Sequence, residues 1–161
     1  MFDINDFSHL SDSWRHWARL AELSNVQSPR NLHDGDAWFR SDDYSVHVRH
    51  EDRFWVIDTV DDRGQLHDDV AKFSTFGLAE KFLVWDWATA ARNAMRLPRL
   101  GPEFYALGME VNVRATAIKE GIYELQTREG CAVLMEPSAT IFSHLISRQL
   151  SEIEELVSQG L

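Results

Sequence analysis

The segment Ser74–Pro98 constrains the fold of this chain most, because it is the longest stretch compatible with one regular element. Ser74 or Thr75 can cap the first turn of a helix, and Pro98 cannot continue one. Between these ends the apolar residues recur three or four positions apart, which places them on one broad helical face. The pattern predicts a long central helix over about residues 75–97. The residues of this face are Phe76, Leu78, Ala79, Phe82, Leu83, Trp85, Trp87, Ala90 and Ala94.

A face this wide needs a large cover, and a β-sheet is the usual one. On both sides of the helix, apolar residues alternate with polar ones in short segments joined by tight turns. This alternation is typical of half-buried strands in antiparallel pairing. It predicts two β-rich halves, one before the helix and one after it. The predicted strands are residues 37–41, 44–48, 53–60, 70–74, 109–117, 122–127 and 131–136.

Helical periodicity returns near both ends of the chain. A first helix is predicted from Ser8 or Ser11 to about Leu23, and a capping-box match at Ser151–Glu154 predicts the start of a last one. The fold class is therefore α+β, with mainly antiparallel sheet packed against the central helix and with N- and C-terminal helices. The 161 residues contain no repeat and no linker, so we expect a single domain over residues 1–161, with 1–7 as a loose N-terminal arm.

Charge and cysteine content restrict the partners and the compartment. The formal net charge of −10 disfavours nucleic acids and anionic membranes, which basic patches bind. The one cysteine, Cys131, cannot form an internal disulfide and lies in an apolar stretch that predicts a buried structural thiol. The first residues do not resemble a signal peptide. We therefore expect a cytoplasmic protein.

The polar residues do not form a recognisable catalytic or metal-binding pattern. His47 and His50 are predicted to point to opposite faces of a strand, and neither zinc-ligand spacing nor a nucleophile motif occurs. We therefore expect no catalytic residue, metal or cofactor, and not an enzyme. Paired carboxylates do recur at predicted turns. They are either solvated turn residues or an acidic binding rim at one end of the sheet. The pairs are Asp42–Asp43, Glu51–Asp52, Asp61–Asp62 and Asp68–Asp69.

The end of the predicted helix carries a short motif. The residues Arg92, Leu97, Pro98, Arg99 and Leu100 resemble the RxxxxLPR(L/I) segment of the immunity protein 61 (Imm61) family. The order of the surrounding elements is similar to that family over residues 14–160: a tryptophan-bearing segment, then a hairpin, the helix, further strands and a serine-led acidic helix.

The resemblance implies a function that composition does not. Members of the family resemble antitoxins that bind a toxin made by the same cell, and the best-known toxin is an NAD⁺ glycohydrolase whose active site is blocked. A cognate toxin domain is then the expected partner, and the free chain is a monomer or weak homodimer. We expect the contacts at exposed turns and at the loop predicted for residues 99–108. These residues are Asp42, Asp43, Glu51, Asp52, Asp61, Asp62, Arg96, Arg99, Glu103, Phe104 and Tyr105.

A second interpretation remains open. The chain has six tryptophans and nine phenylalanines, and some of them could line a pocket between helix and sheet. A pocket of this kind is typical of a small-molecule-binding or regulatory α+β domain.

Overall fold

The fold is α+β, as the sequence predicts. The computed structural model describes residues 7–29 and 36–161, and the helices and strands below belong to those residues. In chain order they are α1 (Ser8–Leu20), β1 (Asp36–Phe39), β2 (Ser45–Glu51), β3 (Phe54–Val60), β4 (Leu66–Phe73), α2 (Phe76–Ala94), α3 (Gly101–Ala106), β5 (Arg114–Lys119), β6 (Ile122–Thr127), β7 (Gly130–Met135), α4 (Ser138–Ser143) and α5 (Leu150–Val157).

Within the described part of the chain, the strands form one antiparallel sheet in the order β1-β2-β3-β4-β7-β6-β5. The two β-rich halves predicted before and after α2 are joined into this one sheet, because β4 pairs directly with β7 through Ala71 with Leu134 and Phe73 with Ala132. Gly130 permits this junction. A Cβ there would collide with the Ser74 hydroxyl, which accepts a hydrogen bond from the Cys131 N–H at 2.8 Å.

The helices cover the apolar face of the sheet. That face contributes side chains from six strands to the core, and all of them are buried: Phe39, Val46, Val48, Ile57, Ala71, Phe73, Leu125, Ala132 and Leu134. Thr75 caps α2 by accepting a hydrogen bond from the Leu78 N–H at 3.2 Å. The helix α1 packs beside α2, and the rings of Trp14 and Trp87 lie 5.0 Å apart.

The helix α2 ends at Ala94, three residues before the end that Pro98 suggests. Arg96 has a positive φ of 60°, the Leu97 N–H donates to the Arg92 carbonyl at 2.9 Å, and the Arg96 N–H donates to the Asn93 carbonyl at 3.1 Å. These two bonds form a Schellman motif. The backbone therefore reverses direction before the proline is reached.

The side chain of Arg92 ties this helix end to the C-terminus of α5. It is 3% exposed, and its guanidinium donates to the carbonyls of Val157 at 2.9 Å, Gln159 at 2.5 Å and Pro98 at 3.2 Å. A cation at the C-terminal carbonyls of a helix also interacts favourably with the helix dipole. Arg92, the first residue of the RxxxxLPR(L/I) segment (below, the LPR motif), is therefore a buried link between α2, the end of α5 and the chain at Pro98.

Several predicted elements differ from the observed ones. Residues 109–113 form turns, not a strand, because the Val113 N–H bonds back to the Glu110 carbonyl at 3.1 Å and β5 begins only at Arg114. The loop predicted for residues 99–108 contains the short helix α3. The capping box at Ser151 is not formed, since α5 begins at Leu150 after Gln149 without a side-chain cap.

Two residues have different surroundings from those expected. Phe7, assigned to a loose arm, is 1% exposed and lies 5.1 Å from the Phe76 ring, because it closes the core beside the start of α2. Residues 1–6 of that predicted arm lie outside the described residues. Cys131 is half-buried and not fully buried, because it lies on the face of the sheet opposite the helices. In the described ranges, no helix has both the length and the apolarity that a membrane crossing requires.

Replacing Arg96 by glycine should stabilise the fold by about 1 kcal/mol, because a residue with a Cβ is strained at positive φ and glycine is not. Urea unfolding of Arg96→Gly measures this. The neighbouring change Ala94→Gly lies in regular helix and should instead destabilise by about 1 kcal/mol. Equal losses in both variants would contradict the assignment of the Schellman motif.

Replacing Arg92 by methionine should cost about 3 kcal/mol of unfolding free energy, because buried carbonyls lose their donors. The matched change Arg99→Met removes an exposed guanidinium whose bond is to the Asn93 side chain, and should cost less than about 0.5 kcal/mol. Thermal or urea unfolding of the two variants gives the comparison. A similar loss in both would show that Arg92 is not the link described.

Candidate functional site

The exposed residues between α2 and β5 form the first candidate surface, which we call the post-helix surface. Three of its apolar side chains are largely in solvent: Tyr105 is 51% exposed, Leu107 71% and Val111 90%. Exposed apolar groups close together are unusual on a protein surface unless a partner covers them. The post-helix surface consists of Arg96, Arg99, Glu103, Tyr105, Leu107 and Val111.

Phe104 anchors this surface and does not belong to its exposed part. Its ring is half-buried, stacks on the His144 ring at 5.5 Å with an interplanar angle of 18°, and lies 5.8 Å from the Trp85 ring. The guanidinium of Arg148 lies 5.6 Å from the centre of the same ring. The sequence placed Phe104 among the contact residues, but its packing holds α3 against α2 and α4.

The turns after α3 are held by α4. The Nε2–H of His144 donates to the Gly108 carbonyl at 2.7 Å, and its Nδ1 lies 3.4 Å from the Glu110 carboxylate. The Glu110 N–H donates to the Ser143 hydroxyl at 3.0 Å. Leu107 and Val111 are therefore presented on a backbone that is bonded to the body of the protein.

The acidic turns do not form one rim. Ser45 pairs with Val60, so the turns at residues 42–43 and 61–62 lie at the same end of the sheet. Glu51 and Asp52 lie at the opposite end, where Glu51 pairs with Phe54. We call the first group, Asp42, Asp43, Asp61 and Asp62, the acidic end. The alternative of one acidic rim is therefore wrong, because consecutive turns of an antiparallel meander alternate between its ends and the fourth pair, Asp68–Asp69, lies within β4.

Most of these carboxylates have structural partners. Asp42 accepts from the Asn25 amide at 2.5 Å, and Asp43 accepts from the Ser24 N–H at 3.0 Å, so both hold the loop after α1. The Asp61 carboxylate accepts from the N–H groups of Gln65 and Arg63, and these bonds together with His67 lower its pKa. The turn interpretation therefore accounts for these three, while Asp62 is simply exposed.

Glu51 belongs to an ionic network on the outer face of the sheet. Arg49 pairs with Glu51 and donates to Asp58 at 2.9 Å and Asp69 at 2.5 Å. Asp58 is 3% exposed. Burial alone would raise its pKa, but the bonds from Arg49, from the Asp69 N–H and from His47 hold the pKa below its usual value. In the described residues, no three His, Cys, Asp or Glu side chains are grouped to hold a metal ion.

An aromatic cleft opens between α1, α2 and the start of β2. Its volume is about 320 Å³, and its walls are almost wholly apolar. We call this cleft the aromatic cleft. It is lined by Trp14, Trp17, Ala18, Ala21, Leu23, Tyr44, Asp86, Trp87 and Ala90. This cleft lies between α1 and α2, beside the acidic end, and not between helix and sheet, where the second interpretation expected a pocket.

Asp86 is the one carboxylate in this cleft. Burial raises its pKa to about 6, and the hydrogen bond from the Tyr44 hydroxyl at 3.3 Å offsets only part of that rise. Burial and the Asp86 charge raise the pKa of Tyr44 well above its usual value. Among the residues with described positions, no basic side chain pairs with Asp86. The cleft thus has aromatic walls and a carboxylate that pairs with no basic side chain of residues 7–29 and 36–161.

Sequence reasoning missed Leu107, Val111 and Asp86. Val111 was assigned to a strand because it alternates with Val113, although Gly108 with its positive φ of 74° marks a turn just before it. Asp86 could have been noticed as the one charged residue in the otherwise uncharged stretch 82–91. No sequence signal pointed to Leu107.

Replacing Asp86 by asparagine should stabilise the protein above pH 6. A carboxyl whose pKa rises from 3.8 to about 6 on folding contributes most stability below pH 4 and loses it as the pH rises toward 6. The loss approaches about 3 kcal/mol at pH 8, so Asp86→Asn should gain up to that amount there and little at pH 4. Urea unfolding at both pH values tests it. A destabilised variant at pH 8 would contradict the assigned environment.

Comparison with known proteins agrees with this architecture. The sequence model of a family described as immunity protein 61 matches residues 17–159. The solved structure of Rv3902c from M. tuberculosis has the same fold, with a TM-score of 0.72 and 15% sequence identity over 98% of this chain and 91% of that one. No curated protein matches the chain.

Proposed function

The chain belongs to the immunity protein 61 family, and on that premise we propose that it binds a cognate toxin domain and blocks the active site of that toxin. We further propose that the toxin is an NAD⁺ glycohydrolase, as the resemblance of the LPR segment implies. An inhibitor of this kind needs a rigid surface and a few anchoring side chains, and it needs no catalysis of its own.

The observation that carries this proposal is the post-helix surface. Tyr105, Leu107 and Val111 are exposed, yet the backbone beneath them is fixed by Phe104 and His144. Fixing a contact surface before binding lowers the entropic cost of association. Exposed tyrosine and leucine side chains on such a support are suitable anchors for a partner.

Charged residues around this surface extend the proposed contact. The helix α2 begins beside the end of β4 and runs toward the acidic end, because Tyr44 bonds to Asp86 midway along it. Arg96, Arg99 and Glu103 follow the end of α2, and the Arg99 guanidinium donates to the Asn93 side chain in its last turn, which places Arg99 toward the same end of the sheet as Asp42, Asp43, Asp61 and Asp62. We propose that the first three contact the toxin and that the acidic end steers a basic toxin surface toward them.

Glu51 and Asp52 do not fit the same contact. They lie at the opposite end of the sheet, and Glu51 is paired with Arg49. We therefore propose that they lie outside the interface.

A candidate toxin is the C-terminal domain of any large secreted protein whose gene lies beside this one, and titration of the protein against that domain tests the proposal. We expect one-to-one binding, measured by the heat that it releases, together with loss of NAD⁺ cleavage. Binding to a toxin domain that does not cleave NAD⁺ would keep the immunity role and reject the glycohydrolase. Absence of binding at micromolar concentration would reject this pairing.

The double variant Tyr105→Ala with Leu107→Ala should weaken toxin binding by at least about tenfold, since anchoring side chains dominate interface energies. Its unfolding free energy should stay within about 0.5 kcal/mol of the parent, because both side chains are exposed. Ile118→Ala is the matched control, since Ile118 is also exposed, at 51%, and lies on β5 outside the proposed contact. Equal binding by the double variant would reject the post-helix surface as the contact.

A second candidate function has one specific observation in its favour. The aromatic cleft of about 320 Å³ is large enough to hold a small ligand. It supports the small-molecule-binding interpretation, which is compatible with an immunity role because the cleft and the post-helix surface use different residues.

A further inference from the structure

We infer that the aromatic cleft is a binding site for an organic cation, namely an ammonium or guanidinium group on a short apolar stem. The inference rests on three features that occur together: tryptophan walls, one carboxylate without a basic partner in the described residues, and a volume that suits a small group. It does not depend on the toxin proposal.

The tryptophan walls are held in place by the surrounding structure. The Trp14 indole donates to the Gln27 carbonyl at 3.0 Å, and its ring lies 5.0 Å from Trp87 with an angle of 57° between them. Trp17 and Tyr44 complete the aromatic lining. The faces of tryptophan and tyrosine rings attract cations, and the attraction strengthens where water is excluded. These walls therefore suit an apolar stem that carries a positive charge.

The Asp86 carboxylate makes the cleft prefer positively charged ligands. Asp86 lies in the wall of the cleft, and the Tyr44 hydroxyl at 3.3 Å is the partner that orients it. Asp86 is half-buried, and a carboxylate shielded from water is costly without a counter-ion, a cost that a bound cation would offset. An anionic ligand would instead be repelled.

The volume limits the size of the ligand. At about 320 Å³, the cleft lies at the lower end of the range for small-molecule sites. It suits an alkyl- or arylammonium ion, or one lysine or arginine side chain of a bound protein, and is small for a nucleotide. A free amine and such a side chain share the same chemistry.

Benzylammonium and benzyl alcohol, which are similar in size and differ in charge, are suitable probes. We would titrate both at pH 8, where Asp86 is ionised, and follow tryptophan fluorescence and the indole N–H signals in NMR spectra. We expect benzylammonium to bind at least about tenfold more tightly, with shifts at Trp14, Trp17 and Trp87. Equal affinities, or no binding of either probe at millimolar concentration, would overturn the inference.

The variant Asp86→Asn should lose the preference for benzylammonium while still binding benzyl alcohol, which also shows that the cleft remains folded. Glu80→Gln is the matched control, because it removes a carboxylate from the same helix outside the cleft and should keep the preference. A preference that survives Asp86→Asn, or that is lost in Glu80→Gln, would show that general charge and not the cleft attracts the probe.

Binding experiments with the toxin domain show whether the cation is a side chain of the toxin or a free small molecule. If Asp86→Asn weakens toxin binding and saturating benzylammonium competes with the toxin, a basic side chain of the toxin occupies the cleft. If toxin binding is unchanged by both, the cation is a free small molecule. The probe titrations need no toxin, so failure of the toxin pairing and failure of the cation site remain distinguishable.

Discussion

The pairing of β4 with β7 is the contact on which the rest of the structure depends. It joins strands from both sides of α2, through Ala71 with Leu134 and Phe73 with Ala132, into one antiparallel sheet. With the sheet continuous, α2 has to lie across one face, and the flanking helices cover what remains of that face. The collision that a Cβ at Gly130 would have with Ser74 shows how closely this junction is packed.

The LPR motif acts through the backbone at the end of α2. Arg92 bonds to carbonyls of α5 and to the Pro98 carbonyl, while the reversal at Arg96 sends the chain outward. The segment that follows would be a free loop, but Phe104 and His144 fasten it to the helices. Its exposed apolar side chains are thus displayed rigidly, and the family's role as immunity proteins calls for such a surface.

The aromatic cleft contains a carboxylate that lowers the stability of the fold at neutral pH. Asp86 is retained among tryptophans, where burial raises its pKa to about 6 and lowers stability at neutral pH. Asp58 is buried as well, yet Arg49 and the Asp69 N–H satisfy it and keep its pKa low. The contrast separates a carboxylate that supports the fold from one that is free to bind. Groups kept at a cost to stability often mark functional sites.

The sequence by itself determined the α+β class, the presence of strands on both sides of α2 and the family resemblance, because periodicity and a short motif report local geometry. Only the tertiary structure decided that β4 meets β7, since alternation shows which face is buried and not which strand is the partner. It also turned residues 109–113 from an expected strand into turns that expose Val111 and bury Val113, through bonds to Ser143 and His144. The aromatic cleft needed α1, β2 and α2 together, because no segment contains it and its carboxylate acquires its raised pKa only from that packing.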